Sequence, residues 1–320
     1  MYKKQLLLGF CLLLLSSTIF AQKTIKTLIV DGQNNHNQWA KISYMMKKYL
    51  EETGKFSVDV QRSYYTWNGG EYIQKYPIAG LRSTVELTKS RADSSYLIDF
   101  SKYDLVICNF GWNAAPWPET TQANFDAFMK KGGGLVVIHA ADNSFPNWPA
   151  YNQMIGLGGW GDRTEKDGPY VYYDDKGQLV RDMVPGRAGS HGAQAEFMIT
   201  VRDSKHPITK GMPLQWMHSK DEMYDRLRGP AENMQVLATA FSPKSNRGTD
   251  HHEPMLMTIK YGKGRVFHTP LGHADYSVEC VGFITCLQRG AQWAATGKVT
   301  IPIPKDFPTE KELKVRAFKE

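Results

Sequence analysis

The run Gly132-Gly133-Gly134-Leu135-Val136-Val137-Ile138-His139-Ala140-Ala141 constrains this chain more than any other stretch. An apolar segment of this length bounded by glycines reads as a strand buried on both faces, and such strands belong to parallel sheets covered by helices. The run stops at a histidine, followed by two alanines and Asp142. Ligands of open α/β sheets gather at the carboxyl ends of strands, so His139 and Asp142 stand where chemistry usually happens. The small residues after His139 permit a sharp strand-to-helix turn of the nucleophile-elbow kind. No serine or cysteine sits at that turn, so it offers a proton shuttle or a metal ligand rather than covalent attack.

At the amino end, Lys3 and Lys4 precede the apolar run Leu6 to Leu15, and Ser16 to Ala21 lead to a cut before Gln22. This is the pattern of a signal peptide over 1–21, too short in its apolar core to span a bilayer. The expected product is periplasmic or secreted, with no membrane span. Residues 22–300 are read as a single α/β domain with an insertion at about 143–213, and 301–320 as a C-terminal tail. Losing Lys3 and Lys4 takes the formal charge from +7 to +5. The remaining basic residues are scattered, with Lys47-Lys48 balanced by Glu51-Glu52, which argues against a nucleic-acid partner. Cys108 lies in an apolar strand, and Cys280 and Cys286 fall on different faces of a helical stretch, so no disulfide scaffold is expected.

Strand and helix alternate through the first half. Strands are expected at Thr27 to Asp31, Phe56 to Val60, Tyr103 to Phe110 and before His139. Amphipathic helices are expected from Trp39 to Leu50 and from Pro118-Glu119 to the glycines at 132–134. Right-handed crossovers then give a doubly wound, mostly parallel sheet. The segment 143–213 reads as irregular, a lid or wall over the carboxyl edge with one strand at Glu196 to Val201. Regular pattern resumes with a strand at Met234 to Ala240. A hairpin follows, Met255 to Ile259 and Arg265 to Thr269 across Tyr261-Gly262-Lys263-Gly264, and a helix from Val278 to Ala295 closes the domain. The end of the chain reads as an extended strap with frayed ends.

Histidines at strand ends are the candidate chemistry. His36 follows the first strand, His139 ends the fourth, and His273 ends the run leading to Leu271-Gly272-His273. Asp221-Glu222 supplies carboxylate. Histidines with a carboxylate in a cleft suit proton transfer beside a carbonyl, or a divalent metal held by His36, His139 and His273. Each also has a purely structural reading. His36 can cap a helix, His273 can be a satisfied core residue, and Glu222 can favour a helix N-terminus. His206 reads as a turn brace and His251-His252 as exposed, whereas His191, flanked by glycine, is placed to close onto substrate. Asn35, Trp112 and Asp142 join them as substrate-binding candidates, with Trp67, Trp117, Trp148 and Trp160 adding a density of aromatics that suits stacking on sugars. No phosphate loop or dinucleotide fingerprint follows a strand, which argues against a nucleotide.

Several segments in this order resemble the ThuA-like (trehalose-utilisation) family, related to class I glutamine amidotransferases. They are the strand ending in His139, His206-Pro207-Ile208-Thr209-Lys210-Gly211-Met212-Pro213, Asp221-Glu222-Met223-Tyr224, Tyr261-Gly262-Lys263-Gly264-Arg265-Val266-Phe267 with Leu271-Gly272-His273, and Arg289-Gly290-Ala291-Gln292-Trp293-Ala294. The resemblance runs from Thr27 to about Thr296. It implies a flavodoxin-like, amidotransferase-like fold in which His139 replaces the catalytic cysteine, so glutamine hydrolysis is not expected. It also implies a small-molecule carbohydrate, a glucoside or 3-keto-glycoside, as substrate. His139 and His273 would then act as acid/base or metal ligands and Glu222 as base, with Asn35, His36, Trp112, Asp142, His191 and Asp221 holding substrate. Family members often carry glycine-histidine after the first strand, and Asn34-Asn35-His36 departs from that pattern. A divalent metal is allowed but not demanded, and self-association into a homo-oligomer stays open. The alternative is a non-catalytic periplasmic carbohydrate-binding protein on the same scaffold.

Overall fold

Strand β1 (Ile25–Gln33) is followed by helix α1 (Trp39–Glu51), β2 (Phe56–Trp67), α2 (Tyr72–Lys75), β3 (Val85–Leu87), β4 (Leu105–Cys108), α3 (Glu119–Lys131) and β5 (Gly134–Ile138). The middle of the chain adds α4 (Pro149–Ile155), β6 (Tyr170–Tyr173), β7 (Leu179–Asp182), β8 (Ser190–His191) and β9 (Ala195–Val201). The rest comprises β10 (Gln215–Asp221), β11 (Tyr224–Asp225), β12 (Met234–Ser242), β13 (His251–Tyr261), β14 (Gly264–Thr269), α5 (Asp275–Val278) and α6 (Val281–Thr296). The computed structural model describes residues 24–319. The expected signal peptide, 1–21, lies outside them. Among the described residues, no helix is long and apolar enough to cross a membrane.

The main sheet runs in the order β10-β9-β12-β13-β14-β5-β4-β1-β2-β3, with β6 and β7 attached beside β13. From β14 to β3 every neighbouring pair is parallel. From β10 to β14 every pair is antiparallel. The chain leaves β1 for β2 on one side and returns to β4 on the other, so the order reverses between β1 and β4. That reversal opens a crevice at the carboxyl ends of these strands.

Burial explains the parallel half. Alternate residues face opposite sides, and both sides are covered. Ile29, Ile107, Val136 and Ile138 pack in one apolar cluster with Ile42 and Met46 of α1 and Phe283 and Leu287 of α6. Leu28, Val106, Leu135 and Val137 pack in the other with Phe125 and Met129 of α3 and Tyr151 and Met154 of α4. Gly132 ends α3 at φ +118°, a left-handed turn that glycine adopts without Cβ strain. The expected hairpin is present, with Tyr261 opposite Gly264 and Lys260 opposite Arg265.

Several elements lie outside the sequence expectation, among them α2, β3 and β10. The segment 143–213 is more ordered than its composition suggested, since it holds α4 and the strands β6 to β9. The tail is extended but tied down. Ile301 and Phe307 are buried, Val315 bridges Cys280, and the Val281 and Arg316 amides donate to Lys314 and Glu279 carbonyls. Cys108, Cys280 and Cys286 are buried free thiols.

Candidate functional site

Five loops meet where the parallel strands end. After β1, the Asn34 side chain donates to the carbonyls of Asn109 and Phe110 at 3.3 and 3.1 Å. Its Oδ1 accepts from the His36 amide at 2.9 Å and lies 3.2 Å from His36 Nδ1, which turns Nε2 inward. Gly111 after β4 makes room for this, because a Cβ there would stand 2.4 Å from Asn34 Oδ1. The next amide, Trp112 N–H, donates to Asn35 Oδ1 at 2.9 Å and fixes Trp112 at the lip, 40% exposed.

His139 begins a turn of 3-10 helix at φ +45°, a conformation that costs a residue with a Cβ and marks the elbow expected after β5. Its Nδ1 lies 2.7 Å from the Pro270 carbonyl. A carbonyl only accepts, so Nδ1 carries the proton and Nε2 of the neutral ring is bare. The Tyr224 hydroxyl sits 2.9 Å from that Nε2 and accepts from Asn143 Nδ2 at 3.4 Å, so its own proton is directed at His139. Burial, reinforced by the nearby ring of His36, lowers the His139 pKa to about 3. Burial lowers that of His36 too, with His273 adding to the effect.

Glu222 follows β10 and places Oε2 at the focus. It lies 3.0 Å from His273 Nδ1, 3.6 Å from His36 Nε2, and 3.8 Å from both His139 Nε2 and His191 Nε2. Burial alone would raise its pKa, but the contacts to His273 and His36 and the field of His139 outweigh that and hold the carboxyl well below the usual range. The ring centroids of His36 stand 4.7 and 4.6 Å from those of His139 and His273. One donor atom from each of His36, His139, Glu222 and His273 falls within 4.8 Å of every other, a set and spacing that fit a metal ion.

Asp221 builds the far side without touching the cavity. Fully buried, it accepts from the amides of Glu222 and His273 through Oδ1 at 2.8 and 3.0 Å. Its Oδ2 takes the Gly272 amide and His218 Nε2, both at 2.8 Å. The Gln194 amide spans His273 Nε2 at 2.9 Å and the Tyr276 hydroxyl.

The cavity over the centre is about 230 Å³, lined by Asn35, His36, Trp112, Asn143, Trp160, His191, Glu222 and Tyr224. It shares Asn35 and His36 with a hollow of about 330 Å³ carrying Gln38, Asn68 and Tyr276. Trp112 also belongs to a third hollow of about 410 Å³, walled by Pro116, Phe145 and Trp148. A larger cavity of about 490 Å³ lies at the opposite, amino ends of β4 and β5, and its lining contains no histidine.

The structure therefore brings together His36, His139, His273 and Glu222, with Asn35, Trp112 and His191 around them. It places Asp142 and Asp221 behind the wall rather than on it. Asp142 is fully buried against His268, 3.2 Å away. Trp117 and Trp148 belong to the core cluster. His206 braces its turn by accepting the Ile208 amide at 3.2 Å. His251 and His252, expected to be exposed, are half-buried, His251 by stacking on Tyr172 at 4.1 Å. Sequence reasoning did not select Tyr224, Gln194 or Asn143. Tyr224 had a signal, since residues two apart in extended chain share a face and Glu222 was already a candidate. Gln194 had none, because loop conformation alone brings it in, whereas Asn143 closes the 3-10 turn that His139 begins.

The family model described as ThuA, trehalose utilisation, matches residues 26–294. Among solved structures, a protein from Parabacteroides merdae described as ThuA-like is 44% identical with a TM-score of 0.80, covering 92% of this chain and 98% of that one. A second, from Bacteroides uniformis and likewise described as ThuA-like, is 19% identical with a TM-score of 0.53 over 86% of this chain and 93% of that one, a likeness of fold alone. No curated protein matches.

Proposed function

The chain belongs to the ThuA family, described as trehalose utilisation, and on that basis we propose that it is an exported enzyme of carbohydrate catabolism acting on a glucoside or a 3-keto-glycoside. The observation that carries this reading is the convergence of three histidines and Glu222 within 4.8 Å beneath a cavity rimmed by amides and tryptophans. Amides match sugar hydroxyls, and tryptophan faces match the apolar faces of sugar rings.

A ketone at C3 acidifies the C–H bond at C2. Glu222 or a neutral imidazole takes that proton, and the electron pair forms an enolate. Tyr224 O–H and the imidazoles are placed to stabilise the charge that develops on oxygen. Collapse of the enolate expels the glycosidic oxygen from C1, which takes a proton from the group that removed the first one or from water. The net change is an elimination to an unsaturated keto sugar and a free alcohol. No covalent enzyme intermediate is required, which accords with the absence of a nucleophile at the elbow.

The test is turnover of a panel of trehalose-like disaccharides and their 3-keto derivatives by wild type, His139→Ala and Glu222→Gln. Product from wild type, with a loss of at least about 100-fold in both variants, is the expected result. Sugar binding without turnover by any of the three would replace the enzyme with a carbohydrate-binding protein.

A further inference from the structure

We propose that His36, His139, His273 and Glu222 form a resident site for one divalent transition-metal ion of the zinc type, with His191 as an outlying fifth donor. The proposal deepens the preceding reading of this site, but the ion's binding is measured without any sugar.

Spacing is the first argument. Donors about 2.1 Å from a tetrahedral ion stand about 3.4 Å from one another. Glu222 Oε2 lies 3.0 Å from His273 Nδ1, 3.6 Å from His36 Nε2 and 3.8 Å from His139 Nε2. These separations straddle the expected value, and the whole set lies within 4.8 Å, so an ion would draw the donors together by up to about an ångström. Side chains packed only for an ion pair need bring two groups together, whereas here four converge.

Orientation is the second. Ligating imidazoles hold their other nitrogen against an oxygen, which fixes the ring and leaves the inward lone pair free. His36 Nδ1 lies 3.2 Å from Asn34 Oδ1, His139 Nδ1 2.7 Å from the Pro270 carbonyl, and His191 Nδ1 2.8 Å from the Gly192 carbonyl. Three rings from three separate segments thus turn Nε2 toward one carboxylate oxygen. His273 is turned the other way, with Nδ1 inward. That nitrogen is buried and faces the carboxylate at 3.0 Å without a well-aligned hydrogen bond. An ion between the two gives both lone pairs a partner. The Gln194 amide then presents its oxygen to His273 Nε2–H, an orientation equal in shape to the reverse.

The donor types choose the ion. Three or four imidazoles and one carboxylate suit zinc, iron, nickel or copper, whereas magnesium and calcium prefer all-oxygen cages. The cavity side of the cluster stays open, as in catalytic rather than structural zinc sites. The Tyr224 hydroxyl, which now donates to His139 Nε2, would be released toward that open side.

The experiment uses the full mature chain, dialysed against chelator and then titrated calorimetrically with Zn²⁺, with Mg²⁺ as the comparison ion. One equivalent of zinc per chain, a raised melting temperature and no heat from Mg²⁺ are the expected results. His36→Ala and Glu222→Gln should each weaken zinc binding by at least about 10-fold while keeping the wild-type circular dichroism spectrum. His273→Gln, on a half-buried residue, serves if either of these fails to fold. Absence of stoichiometric zinc binding, or unchanged affinity in all the folded variants, overturns the site. Turnover by chelator-stripped protein that binds no zinc would do so too, while leaving the sugar reading intact. Stoichiometric zinc with no turnover of any sugar would uphold the site and sink the sugar reading instead.

Discussion

Asp221 shows how much of the centre depends on a residue that never faces the cavity. Its two oxygens serve four donors, the amides of Glu222, Gly272 and His273 and the ring of His218. Those contacts fix the backbone on either side of the site, so Glu222 and His273 are positioned by one carboxylate. Burial alone would raise its pKa, but the hydrogen bond and charge of His218 and the Gly272 amide hold it below the usual range. Asp221→Asn keeps the volume and replaces one acceptor with a donor. At least one backbone amide then faces an N–H, and the buried partner His218 loses its countercharge. The expected cost is about 3–5 kcal/mol, read as a lower urea midpoint at unchanged slope. An equal midpoint for the two proteins would mean that Asp221 fills space and positions nothing.

At the scale of elements, α6 presses on the sheet so closely that the contact is made through glycine. A Cβ on Gly134, at the start of β5, would stand 2.7 Å from the Ala294 carbonyl carbon and 2.8 Å from its oxygen. Backbone cannot give way as a side chain can. Gly134→Ala is therefore expected to cost at least about 1–3 kcal/mol in urea unfolding and to shift the strand that delivers His139. A neutral result would show that α6 slides freely over β5. This closeness was foreshadowed by the glycine run, whose apolar continuation identified β5 and its histidine. The same reasoning reached α1, α3, α6 and the β13–β14 hairpin, because each carries a period or a turn long enough to read. It did not reach α4, two turns long and begun by Pro149, or the short strands β6 and β8, where too few residues repeat to make a pattern. The site divided along the same line. Residues at strand ends were legible from position, whereas Gln194 arrives from a loop with no periodicity. Asp142 and Asp221 were legible as chemistry but not as supports, since burial behind a wall leaves no mark in local sequence.

The whole molecule depends on the antiparallel strands rolling back over α6. β10 lies four strands from β14, about 19 Å along a flat sheet, yet Asp221 at its end bonds the amides of Gly272 and His273. Trp216 of β10 meets Gly282 of α6, where a Cβ would stand 2.2 Å from the ring, so the helix is gripped between both halves. The β8–β11 ribbon that carries His191 and Tyr224 is fastened to this rolled half at Asp225. That fully buried carboxylate accepts from Ser190, Ser242 and Arg226 at 2.6, 2.8 and 3.1 Å. Glu253 of β13, buried beside it, accepts from Thr249 at 2.7 Å. Burial, with the charge of Asp225 adding to it, raises the Glu253 pKa from 4.5 to about 8, while Thr249 and Arg226 oppose the shift. Between about pH 4.5 and pH 8 the folded chain holds a proton that the unfolded chain has lost, so stability falls as pH rises through that window. The loss attributable to this group is on the order of 5 kcal/mol. Glu253→Gln keeps an acceptor for Thr249 and cannot ionise, so its urea midpoint should exceed that of wild type at pH 8.5 and approach it near pH 5. Parallel curves over pH 5–9 would mean that Glu253 is ionised in the fold. A converging pair would show that the fold beside Asp225 holds a proton on Glu253 that alkaline conditions remove at a cost in stability.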